Sequence, residues 1–168
     1  MDERTGRLSR LTDAMCEYEK GCPERIHHFI KVHAFARQIA LREGVDADTL
    51  YTLEAAALAH DIGIRPALAQ YGSDAGPYQE RLGPPVARSL LEGLDFEPEV
   101  IDRVCFLIGH HHTTKDVDGI DWRILLEADF LVNMIENHLS DGAIDAYRDA
   151  VFRTAEGLRL LARIRPAS

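Results

Sequence analysis

Apolar positions recur with helical period along this 168-residue chain. Residues 4–19 carry Leu8, Leu11, Met15 and Tyr18 as one stripe, which predicts a first helix. Gly21-Cys22-Pro23 breaks it, and Pro23 suits the start of a second helix running to about Glu43, with Gly44 as its C-terminal cap. Asp46 caps a third, alanine-rich helix that closes in His60-Asp61. A short helix follows near 65–71. Gly72-Ser73-Asp74-Ala75-Gly76-Pro77 then reads as a loop, either a lid or a plain connector. Pro84 and Pro85 predict a helix start and a helix over 84–92. Pro98 starts another, from Glu97 to about His110, and residues 115–119 read as a loop. Asp121 opens a strong helix to about His138, Ser140-Asp141 begins the next, and residues 154–163 finish the chain. No segment of useful length alternates with period two, so the expected fold is all-α, about seven to nine helices with no sheet.

Composition narrows the function. The length suits one domain with a sizeable core. The chain is 46% apolar and 28% charged, as in soluble globular proteins, and carries a formal charge of −9. Such a balance disfavours non-specific binding to nucleic acid and binding to anionic membrane, both of which need basic surface. It leaves room for a small phosphorylated substrate held by a metal and a few local cations. Cys16, Cys22 and Cys105 form no CxxC pair, which argues against a disulfide framework or a zinc–thiolate site and fits a reducing cytoplasm. Met1-Asp2-Glu3-Arg4 lacks the apolar core of a signal peptide, and no apolar run suggests a membrane span.

Helical phase then turns a few polar groups inward. At about 100° per residue, His28 shares a face with Val32, Phe35 and Ile39, whereas His27 and His33 lie off it. His60 falls with Leu53, Ala56 and Ala57. Asp61 stands near a helix C-terminus, where the macrodipole disfavours a carboxylate without a compensating cation. Asp129 aligns with Trp122, Leu125 and Val132, whereas Glu127 falls on another side and is expected in solvent. Of His110, His111 and His112, which follow an apolar run, His111 is expected to reach the interior, with His112 second. Each has a bland reading alone: a histidine bonded to a backbone carbonyl, or Asp129 paired with Arg103 or Arg123. Together they are better explained by one shared site, because buried imidazoles and carboxylates need partners or a metal. Two imidazoles and two carboxylates suit manganese, iron, zinc, cobalt or nickel better than copper(I) or calcium.

This ordered set resembles the HD superfamily of metal-dependent phosphohydrolases. The match is His28 in His28-Phe29-Ile30-Lys31-Val32, then His60-Asp61-Ile62-Gly63, then Asp129 in Glu127-Ala128-Asp129, with His111 fitting a further histidine found in many members. It spans roughly residues 23–135. Tyr78-Gln79-Glu80, Ile108-Gly109-His110-His111-His112 and the segment from Leu126 to Asn133 look like a small bacterial subgroup of stand-alone HD proteins. The resemblance implies a single HD-domain helical bundle over 1–168, with its core at about 23–138 and with helix 4–19 and helices within 141–164 packed on it. It implies one divalent transition metal held by His28, His60, Asp61 and Asp129, with His111 and His112 as ligands for a second.

The implied activity is hydrolysis of a phosphate ester of a nucleotide or other small phosphorylated metabolite by metal-activated water. Asp61 and His111 take the catalytic roles. Arg65, Lys31 and His112 grip substrate, and His110 or His112 is a candidate proton donor to the leaving group. A homodimer is open. Some binuclear members carry a further ligand near the position of Leu82, before Gly83, and here Glu80 is displaced by two. No lysine follows Ile62-Gly63 and no Gly-Tyr-Pro is present, which disfavours cyclic dinucleotides. The rival readings are an HD-fold diiron oxygenase and a non-catalytic nucleotide-binding sensor.

Overall fold

In the computed structural model the chain is helical throughout, with no strand among the described residues, 2–165. Met1 and residues 166–168 of the domain expected over 1–168 lie outside them. Nine helices occur among these residues: α1 Glu3–Tyr18, α2 Pro23–Arg42, α3 Ala47–Ala59, α4 Ile64–Tyr71, α5 Gly76–Gly93, α6 Pro98–Ile108, α7 Ile120–Glu136, α8 Asp141–Val151 and α9 Ala155–Ile164. Their starts follow local chemistry. Asp46 accepts from the amides of Asp48 and Thr49, Ser140 from Ala143 and Thr154 from Gly157, each satisfying an amide that the first turn leaves free. Pro23 and Pro98 occupy first turns, where a missing N–H costs nothing.

Two helices are buried almost all round. In α3, residues 51–59 are all buried, and Ala55, Ala56, Ala57 and Ala59 are fully so. Small side chains let helix axes approach closely, and α1, α2, α6 and α7 all pack on α3. Helix α7 carries the other half of the core, with Ile124, Leu125 and Leu126 nearly inaccessible, and it packs on α2, α8 and α9. The buried charged residue within α3, Glu54, accepts from His33 Nε2 at 3.0 Å and Arg37 Nη1 at 2.9 Å on α2. Burial pushes this carboxyl up, but the His33 and Arg37 contacts outweigh it and leave its pKa below the ordinary value.

The structure corrects the expected elements in three places. Helix α5 begins at Gly76, not 84, and Pro84 and Pro85 lie inside it. Each proline removes an i→i−4 bond and normally breaks a helix. Here α6 braces the turn: Gly83 lies against Ile108, and Cys105 Sγ donates to Pro84 O. The connector shrinks accordingly, and Gly76 is packed under the His112 ring, where a Cβ would meet ring atoms at 2.9–3.0 Å. Glu127, expected in solvent, is fully buried. The start of α9 covers it: Oε1 accepts from the amides of Arg153 and Thr154, and the Thr154 hydroxyl donates to Oε2. Burial pushes this carboxyl up, against the donors' pull.

Candidate metal centre

Four helix ends or faces deliver the polar groups to one point. His28 lies in the second turn of α2, His60 is the C-cap of α3 and Asp61 begins the turn after it. Asp129 lies mid-α7, and His111 stands just beyond α6. The His60-Asp61 pair therefore caps and leaves α3 rather than filling its last turn. The turn is pinned on its far side by Tyr18, whose hydroxyl donates to Ile62 O at 3.0 Å. Gly63 then runs against the α5 backbone at Gln79.

The ligand-grade atoms converge. His28 Nε2 lies 3.1 Å from Asp129 Oδ1, 3.2 Å from His60 Nε2 and 3.4 Å from Asp61 Oδ2. His60 Nε2 lies 3.4 Å from Asp61 Oδ2 and 3.5 Å from Asp129 Oδ1. The other oxygen of Asp61 faces His111 Nε2 at 3.4 Å. Ligand atoms of His28, His60 and Asp61 all lie within 4.8 Å of one another, as do those of Asp61, His111 and His112, so Asp61 is common to two groups.

The orientation of the rings fits a cation. His60 Nδ1 donates to Ala57 O at 2.8 Å and His111 Nδ1 to Ile108 O at 2.7 Å. His28 Nδ1 donates to Glu136 Oε2 at 2.7 Å. In this assignment each outer nitrogen carries the proton, leaving Nε2 to face the centre with a lone pair, the arrangement seen in histidines that ligate metals. His111 Nε2 is buried without a hydrogen-bond partner among the described residues. An orphaned imidazole nitrogen beside a carboxylate is costly in an apolar interior and is relieved by a bound cation. The donor set of imidazole nitrogens and carboxylate oxygens suits a divalent transition ion.

Within the centre the imidazoles and carboxylates also compensate one another. Burial drives the imidazoles of His28 and His60 toward neutrality, yet the carboxylates outweigh it and raise both pKa values, that of His60 strongly. Asp61 and Asp129 are correspondingly lowered, against their burial, by the facing histidines. His112 is exposed by surface area, yet its ring lies against Gly76 and His111. Partial desolvation and the neighbouring imidazole lower its pKa.

The remaining sequence candidates are placed as follows. Arg65, about half exposed, lies over the Tyr18 ring with Nε 3.6 Å from the buried Glu19 carboxylate, which Arg25 also binds at 2.8 Å. Lys31 pairs with Glu136. His110 is not in the centre: its Nδ1 donates to Phe106 O and its ring packs between Phe106 and Trp122. Neither arginine proposed for Asp129 reaches it, since Arg103 pairs with Asp121 and Arg123 donates to Val151 O. Glu80 accepts from the amide of His112 and the hydroxyl of Thr113, and so supports the histidine segment.

Two contributors escaped the sequence reading. Asn133 Nδ2 donates to Asp129 Oδ1 at 2.9 Å, and Glu136 holds His28. Both stand four and seven residues after Asp129, on its helical face, and that spacing was the available signal.

Comparison with known proteins agrees with this geometry. No curated protein matches the chain. Among solved structures, the chain is similar to a predicted HD superfamily hydrolase from an uncultured Thermotogales bacterium. The two share 27% identity with a TM-score of 0.66, over 93% of this chain and 83% of the other. The family model of the HD domain matches residues 25–145, well over half of the chain and the whole span from His28 to Asp129. The chain therefore belongs to the HD-domain family.

Proposed function

We propose that this protein is a metal-dependent phosphohydrolase that cleaves a phosphate ester of a nucleotide or another small phosphorylated metabolite. The observation that carries the reading is the shared orientation of His28, His60 and His111: each ring holds its Nδ1 proton away from the centre and turns Nε2 toward Asp61 or Asp129. The similar Thermotogales protein, itself described as a predicted hydrolase, supports the hydrolytic class.

In this reading His28, His60, Asp61 and Asp129 hold one divalent transition ion, and His111 and His112 extend the donor set toward a second. When bound, such an ion supplies Lewis acidity and makes water nucleophilic near neutral pH. Asp61 faces His28 and His60 with one oxygen and His111 with the other. It is thus placed to orient the attacking water by accepting its hydrogen bond. His111, its outer nitrogen fixed on Ile108 O, keeps Nε2 directed at that carboxylate and is the second catalytic candidate. His112, neutral near pH 7 because its pKa is lowered, is available as a hydrogen-bond donor to a phosphate oxygen or the leaving group.

Arg65, four residues beyond Asp61 and steadied by Glu19, is the first candidate cation for the phosphate. Lys31 is the weaker one, because Glu136 already neutralises much of its charge.

The test is a hydrolysis screen over phosphomonoesters and nucleotides with manganese, iron, zinc, cobalt or nickel added singly. The expected result is metal-dependent phosphate release that is lost in the double variant H60A/D61A. Turnover that survives in that variant, or no turnover with any metal and substrate, would refute the reading.

A further inference from the structure

We propose that Glu136 is a positioning residue of the metal centre: its carboxylate fixes the orientation and proton of His28, and Lys31 fixes Glu136. The inference rests on the metal-site reading above and goes beyond it in assigning a residue outside the ligand set.

The argument begins with what each imidazole has within reach. His60 and His111 stand at helix C-termini, where the last carbonyls have no intrahelical partner. Each takes one of them, Ala57 O or Ile108 O, three residues back on its own chain. His28 has no such choice. It lies inside α2, where nearby carbonyls are engaged by the helix itself. Its Nδ1 proton needs a side-chain acceptor from elsewhere, and Glu136 Oε2, 108 residues away, supplies it at 2.7 Å.

The location of Glu136 supports the assignment. It is the last residue of α7, at the negative end of the helix dipole, where a carboxylate is disfavoured. Its other oxygen is bound by Lys31, one turn along α2 from His28. A surface glutamate with no task at this end would be better replaced by lysine or a neutral residue. Here the carboxylate is held between an imidazole and an ammonium of the same helix, and that grip sets the ring plane of His28. A carboxylate behind a ligating histidine also raises the basicity of the inward nitrogen. Glu136 reaches His28 from the helix that carries Asp129, so one rigid segment sets two of the four ligands.

The experiment measures manganese(II) and zinc(II) affinity by calorimetric titration of the purified chain and of E136A, E136Q, E136D and K31M. Metal-free thermal unfolding and the downfield proton resonance of His28 Nδ1–H are followed alongside. E136A should weaken binding by about 10–100-fold, lose the downfield resonance, and unfold within a few degrees of the wild type when metal-free. E136Q, whose amide oxygen still accepts from Nδ1, should recover part of the affinity, and K31M should lose less than E136A. Should E136A fail to fold, E136Q against E136D carries the comparison. Wild-type affinity in E136A, or in both conservative variants where E136A does not fold, overturns the inference and leaves the metal site standing. Absence of metal binding by the wild type overturns both.

Discussion

Replacing Gly63 by alanine adds one methyl group at the point where the turn after His60-Asp61 meets α5. Gly63 has αR backbone angles, so no torsional strain is introduced and the effect is one of space. The added Cβ would lie 2.6 Å from Gln79 O and 3.0 Å from Gln79 Cα and Gly83 N, whereas ordinary contact begins at 3.4 Å. All three neighbours are backbone, so no side chain can rotate away, and either α5 or the His60-Asp61 turn must move. Overpacking of this kind costs about 1–3 kcal/mol. At roughly 2–4 °C per kcal/mol for a domain of this size, the melting temperature should fall by about 2–12 °C. The internal control is Gly93→Ala at the end of the same helix, where nothing lies within 4 Å of the new Cβ. It should stabilise by about 0.5–1 kcal/mol. Urea and thermal unfolding measure both, with an unchanged m-value marking a pure stability effect. A G63A protein that melts within 1 °C of the wild type would refute the close seating of α5 on the turn.

Other predictions follow from the same contacts. Manganese or zinc at about 100 times its dissociation constant should stabilise the fold by about 2.7 kcal/mol, a rise of roughly 5–10 °C in thermal unfolding. The H60A/D61A variant should show none, and an equal rise there would place the ion elsewhere. Gly157→Ala drives a Cβ into Glu127 Oε2 and to 2.6 Å from Thr154 Oγ1. It should destabilise by at least about 2 kcal/mol in denaturant, since a buried carboxylate loses its donors, and a neutral result would contradict the burial of Glu127.

The pH prediction concerns Glu54, whose folded pKa lies below its ordinary 4.5. Its contribution is complete above pH 4.5 and is lost as pH falls through the folded value. Glu54→Gln should therefore cost about 1–2 kcal/mol at pH 7 in urea unfolding, with the gap narrowing below about pH 4. A gap as wide at pH 3.5 as at pH 7 would remove His33 and Arg37 as its cause.

The inward direction of His28, His60, His111 and Asp129 was readable because phase is a local property: each residue turns about 100° from the last, and the apolar neighbours mark the buried side. The caps at Asp46 and Ser140 were readable for the same reason, since their partners lie two or three residues away. The continuation of α5 through Pro84-Pro85 back to Gly76 was not, because the packing of α6 that sustains it is invisible in the local pattern. Glu127 shows the limit plainly. Helical phase correctly set it on a different side from Asp129, but the cover over that side is the start of α9, some 26 residues on.

By itself, then, the sequence determined which faces of which helices are apolar, where most of the helices begin, and that His28, His60 and Asp129 turn inward, with Asp61 beside His60, in the order of an HD protein. Tertiary structure alone decided which distant residue stands behind a charged or buried group: Glu136 behind His28, Glu19 behind Arg65 and Thr154 behind Glu127. The physical reason is one of range. Periodicity and capping act within a turn or two of helix. Partners of such groups come from wherever the packed helices bring the chain back, and these lie 27 to 108 residues apart in sequence.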